Sequence, residues 1–110
     1  MSRLSPIEEL KEERKKVEEA LHKLEEEKKN IDEEYASILE EEKKVYEQMR
    51  RCRDAYQYSR LEIRLNMIMR NRKEVEARKE EVERRIRGYK EDLARIEKRI
   101  QYLTPKKTKV

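Results

Sequence analysis

The sequence has no Phe and no Trp, a single Gly, two Pro and one Cys. With 51% of its residues charged, it lacks the apolar volume to build the core of an ordinary globular enzyme domain. Scarce Gly and Pro argue against a fold with many tight turns, because these two residues supply most of them. The lone Cys52 excludes an intrachain disulfide and a cysteine-cluster zinc site. No apolar run approaches membrane-spanning length and no signal-peptide pattern opens the chain. No membrane insertion is therefore expected, and the expected location is cytoplasmic.

Two classes share this composition: disordered polyampholytes, and long helices or coiled coils. The 110 residues suffice for one small domain. The net charge of +4, from 30 basic and 26 acidic residues, does not by itself imply nucleic acid. Abundant Glu, Lys and Arg beside few Asn and Gln match a hyperthermophile bias, but coiled coils of any source share it.

Periodicity decides between the classes. Stepping by three and four from Ile7 gives Ile7, Leu10, Arg14, Val17, Leu21, Leu24, Lys28, Ile31, Tyr35, Ile38, Glu42, Val45, Met49, Cys52 and Tyr56. Every d position of this series (Leu10 to Cys52) is apolar, while the a positions include Arg14, Lys28 and Glu42. A second series reads Leu61, Leu65, Ile68, Arg72, Val75, Lys79, Val82, Ile86, Tyr89, Leu93, Ile96, Ile100 and Leu103, again with every d position apolar. These are coiled-coil seams. The first series ends with an a position at Tyr56, whereas the second, counted backwards, places one at Tyr58. An offset of two residues is neither the three- nor the four-residue insertion that a continuous coil absorbs. A break is expected near residues 53–60.

Capping chemistry agrees with a break. Ser5-Pro6-Ile7-Glu8 reads as Ser N-cap, Pro at the first helical position and Glu at N3. Ser59-Arg60-Leu61-Glu62 is a second such box, and Asp54 is another candidate cap. The expectation is an all-α, long antiparallel two-helix coiled-coil hairpin associating into a dimer or a four-helix arrangement. Its parts are an N-terminal cap (1–5), helix 1 (6–53), a turn (54–59), helix 2 (60–104) and a basic tail (105–110) carrying Lys106, Lys107 and Lys109. About 48 residues at 1.5 Å each make such a hairpin ~70 Å long. In this register Leu10 faces Ile100, Leu24 faces Ile86 and Met49 faces Leu61. The rival is one helix of ~150 Å pairing with a second chain, favoured by the absence of Gly and Pro from the proposed turn.

A strand reading competes at one place. Leu61, Ile63, Leu65, Met67 and Met69 alternate with Glu62, Arg64, Asn66 and Ile68. Two helices joined by a short β element resemble a prefoldin β-type subunit, a jellyfish-like chaperone component, and the resemblance implies a holdase. The helical seam through Leu61, Leu65 and Ile68 favours helix, because it also accounts for Arg72 onward.

Two groups of residues stand out as contact candidates. Leu39, Tyr46, Ile63, Met67 and Met69 lie outside the seam and are expected to face away from the hairpin's own partner helix, gathered toward the turn. They suggest contact with another chain; local packing around the turn is the plainer account. Charge supplies the second group. Residues 1–49 carry 10 basic and 16 acidic side chains, whereas Arg50, Arg51, Arg53, Arg60, Arg64, Arg70, Arg72 and Lys73 face only Asp54 and Glu62 within residues 50–73. Arg50, Arg51, Arg53, Arg60 and Arg64, with Tyr56 and Tyr58, therefore make a basic, tyrosine-bearing apex suited to phosphates and unpaired bases. Solvated helix faces, or pairing with the acidic residues of a partner chain, are the ordinary alternative.

Catalytic chemistry is not legible. His22 is solitary, Cys52 fills an apolar d position without a nearby base, and Gly88 lies mid-helix where no phosphate loop can form. No enzyme activity, metal, cofactor or small-molecule substrate is expected. The expected role is a non-catalytic structural or adaptor module whose partners are proteins, first of all further copies of itself. Nucleic-acid binding and chaperone activity are the alternatives.

Overall fold

The computed structural model describes residues 4–105 and contains two helices, α1 (Pro6–Arg51) and α2 (Ala55–Leu103). The fold is an all-α helical hairpin, and no strand occurs among the described residues. Residues 61–69 are helical, so the β element that carried the likeness to prefoldin is not present. Period three-and-four wins over period two there because it buries Leu65 and Ile68 while Ile63 and Met67 stay exposed. The tail lysines Lys106, Lys107 and Lys109 lie outside the described residues.

The start of α1 follows its sequence. The Ser5 hydroxyl accepts the Glu8 amide at 3.2 Å, and the Ser5 carbonyl accepts the Glu9 amide at 3.0 Å. Arg50 and Arg51 occupy the last turn, where positive charge suits the helix dipole.

The connection differs from expectation. It is Cys52-Arg53-Asp54 rather than residues 54–59, and α2 begins five residues earlier than the Ser59 box implies. The reason is Asp54. Its Oδ1 accepts the Tyr56 amide at 3.0 Å and its carbonyl accepts the Tyr58 amide at 2.9 Å, so the helix is already capped when the chain reaches Ser59. The Cys52 amide closes the end of α1 on the Met49 carbonyl at 3.3 Å. No described residue has a positive φ, so this turn needs no Gly. Because α2 starts early, Tyr56 belongs to the second heptad series. It is not an a position but an outer residue, 71% exposed, whereas Tyr58, the a position, is 40% exposed.

Two compact units divide the chain. One comprises Met1–Glu26 with Glu83–Val110, the other Glu27–Val82. In the first, Leu10, Ile96 and Ile100 form a core cluster with Val17 packed against it, so Leu10 and Ile100 meet as the antiparallel register requires. The Arg14 guanidinium donates to Glu97 at 2.6 Å, with Glu18 also nearby at 3.7 Å. These partners hold its pKa above the ordinary arginine value. Gly88 sits where an added Cβ would meet nothing within 4 Å. It therefore permits no close approach by another part of the chain.

In the second unit Ile31, Ile38, Val45, Leu65, Ile68, Val75 and Val82 are buried, Val45 and Val75 almost completely. Burial of such side chains stabilises by about 1.5–3 kcal/mol each. No polar or charged residue among those described is fully buried. The charged a positions are instead half-buried, with stems along the seam and heads engaged. Arg72 Nη1 donates to both Glu42 oxygens at 2.8 Å, and Glu76 lies 3.5 Å from Arg72 Nε. The Tyr35 hydroxyl donates to Glu76 at 3.1 Å, and the Lys79 ammonium stands 5.2 Å from the Tyr35 ring centroid. Lys79 also pairs with Asp32 at 3.3 Å, and Lys28 with the other Asp32 oxygen at 2.8 Å. The Lys28 hydrogen bond holds the Asp32 carboxyl below the usual range; burial opposes it, and Lys79 lowers it further. The hydrogen bond to Glu76 raises the Tyr35 phenol. Lys28 and Lys79, two like charges in one seam, are thus reconciled by a single carboxylate.

Continuing the heptad lettering, the g column of α1 reads Glu13, Ala20, Glu27, Glu34, Glu41 and Gln48. That of α2 includes Arg64, Arg78, Arg85 and Arg99. Glu34–Arg78 at 2.8 Å and Glu41–Arg64 at 3.3 Å realise this complementarity in the second unit. All four side chains are exposed, so these contacts choose register more than they stabilise.

Two outcomes are expected in urea unfolding. Asp54→Ala costs about 1 kcal/mol, whereas Ser59→Ala changes stability by only a few tenths. Glu42→Leu alone costs about 2 kcal/mol by stranding Arg72 in the seam, and adding Arg72→Leu recovers most of that loss. If Ser59→Ala matched Asp54→Ala, or if the double variant were no better than the single, these assignments would fail.

Candidate functional site

The turn end of the second unit carries the side chains with most potential for contact. Its two flanks differ in chemistry because the g and e columns differ. On the g flank, Gln48, Arg51 and Cys52 of α1 and its turn face Gln57, Arg60, Leu61 and Arg64 of α2 across an open cleft of about 630 Å³. Three guanidinium groups and two carboxamides line it, and no carboxylate does. Arg64 reaches Glu41 at 3.3 Å, and the Arg60 guanidinium lies 6.0 Å from the Tyr56 ring centroid. Neither Arg51 nor Arg60 takes part in an ion pair among the described residues. Cys52 is half-buried at the cleft floor, its Sγ 3.2 Å from the Asp54 carbonyl.

The opposite flank is apolar. Tyr46, Met49, Arg50 and Tyr58 line a second groove of about 450 Å³. Leu39, Tyr46 and Met69 are e positions and share this flank with it. Leu39 and Tyr46 are 42% and 43% exposed, whereas Met69 is half-buried beside the seam rather than turned away from it. Ile63 and Met67, one helical turn apart on the outer face of α2, are 62% and 64% exposed. Between 61 and 69, α2 therefore shows apolar side chains on most of its circumference, the pattern of a helix covered on more than one side.

The sequence-level candidates are thus divided rather than gathered. Arg51, Arg60 and Arg64 line the cationic cleft, with Tyr56 beside Arg60. Arg50 and Tyr58 belong to the apolar groove, and Arg53 is exposed in the turn without lining either one. Gln48, Gln57 and Met49 were not among the candidates. A signal for Gln48 existed, since it ends a g column that is otherwise mostly Glu.

Among the described residues, no group of three or more His, Cys, Asp and Glu side chains could hold a metal ion, and His22 is exposed. No helix is long and apolar enough to cross a membrane. Comparison with family models, curated proteins and solved structures returned no match. The functional reading therefore rests on the geometry of this chain.

The cleft arginines contribute little to the fold, because they are exposed and, apart from Arg64, unpaired. Arg51→Ala and Arg60→Ala are each expected to leave the unfolding free energy within about 0.5 kcal/mol of the parent. A loss several times larger for either variant would show that the cleft is a structural element and not a free surface.

Proposed function

We propose that the chain is a non-catalytic structural or adaptor module that works by helix-face recognition, with a second copy of itself as the first partner. The single observation carrying this reading is the set of exposed apolar side chains in the second unit, Leu39, Tyr46, Ile63 and Met67. Isolated exposed apolar residues are ordinary on any surface. Here, however, Leu39 lies on the same flank as a groove lined by Tyr46, Met49 and Tyr58, and Ile63 and Met67 add apolar surface on the outer face of α2, on a chain that is otherwise densely charged. Association over this surface supplies the second layer that a two-helix hairpin lacks, and a dimer then becomes a four-helix arrangement at the turn end. Seam packing gives each hairpin its shape, apolar contact gives affinity, and the charged flanks select the partner's register. No step requires a metal, a cofactor or a small-molecule substrate.

The test is absolute mass by light scattering or sedimentation, with Tyr46→Lys and Met67→Lys as variants. Both side chains are exposed, so the monomer should keep its helix content and unfolding midpoint. The parent is expected to associate, and each variant to weaken association at least tenfold, about 1.4 kcal/mol. A parent that stays monomeric at high protein concentration, or variants that associate unchanged, would remove this reading.

A further inference from the structure

The guanidinium groups of the cationic flank are not used by the association described above, and the composition of this flank is unusual for a coiled coil. Elsewhere along the g columns Glu on α1 answers Arg on α2, as in Glu34–Arg78. Where the cleft begins, the α1 column changes from Glu41 to Gln48, which removes the intrachain neutraliser at that level. The arginines persist and increase: Arg51 and Arg60 join Arg64, with Gln48 and Gln57 among them. Three guanidinium groups around one concave surface without a lining carboxylate set up a positive potential that attracts anions.

We infer that this cleft is a phosphate-binding site for single-stranded nucleic acid. Each guanidinium can take two phosphate oxygens at once, and the two carboxamides add donors that cost no charge repulsion. The contact between Arg64 and Glu41 is exposed and yields to a stronger anion. What selects a nucleic acid over other phosphates is Tyr56. The residue is 71% exposed and its ring stands beside Arg60, so an unpaired base can stack on it while a neighbouring phosphate occupies the cleft. A duplex hides its base faces, and a phosphopeptide leaves this ring unused.

Fluorescence anisotropy with a labelled oligouridylate of about ten nucleotides tests the assignment. The parent should bind at about 50 mM salt and weaken steeply by about 200 mM. The triple variant Arg51→Glu, Arg60→Glu, Arg64→Glu should bind at least about tenfold more weakly, with the log–log salt slope reduced by about 2. The same charge change placed away from the tip, Arg85→Glu, Arg87→Glu, Arg99→Glu, should cost no more than about twofold. Tyr56→Ala should weaken the oligonucleotide and leave inorganic tripolyphosphate unaffected. Should the triple variant lose helix content, Arg51→Gln, Arg60→Gln disturbs no ion pair and serves in its place. The assignment is overturned by a parent that fails to bind at the lower salt, or by equal losses in the two triple variants. It is also overturned by a phosphoserine peptide that binds more tightly than the oligonucleotide, or by a silent Tyr56→Ala. Mass measured on the same samples keeps the two ideas apart, since binding here does not require association through the apolar flank.

Discussion

The whole arrangement depends on one constraint: a two-helix seam that must accommodate charge at several of its a positions. A narrow seam of this kind is stable in one register, because only there do Glu42 and Arg72 meet and only there does Asp32 reach both Lys28 and Lys79. Sliding one helix by a heptad would leave the apolar d residues packed but would set Arg72 against a new neighbour, with an uncompensated half-buried charge as the penalty. The charged residues thus weaken the seam relative to an all-apolar one and in return make it unique.

That register determines what the turn end presents. With the helices aligned as they are, the last α1 residues and the first α2 residues place like columns side by side. The g columns supply Gln48, Gln57 and Arg64 to one cleft, and the e columns place Leu39, Tyr46 and Met69 on the opposite flank. One helical segment, residues 55–69, contributes to both, because its Arg side chains lie at g and c while its apolar residues lie mostly at a, d, e and f, with Met67 at c. On the two proposals made above, the cationic and the apolar flank of the tip would serve different partners. Under the proposed adaptor role, assembly and ligand capture would then use different side chains.

Asp32, Arg14 and Tyr35, each engaged by a partner in or beside the seam, depart from their usual pKa. Each departure has a seam neighbour as its main cause: Lys28 for Asp32, Glu97 for Arg14 and Glu76 for Tyr35.

Much of the fold was legible before any coordinates. Apolar spacing of three and four is a local property, and it located both helices, the break between them and most of the buried d positions, from Leu10 to Ile96. The Ser5 cap was equally local. The length and place of the turn were not, because Asp54 and Ser59 carry comparable capping chemistry and the choice between them depends on where the two seams must meet. The same holds for Tyr56, whose heptad phase changes with the helix to which it belongs, and for Met69, which the neighbouring helix half covers. The two-sided tip could not be read from one strand of letters either. Residue type and period assign each side chain to a column, but which columns become neighbours is decided only when two helices pack at a definite register.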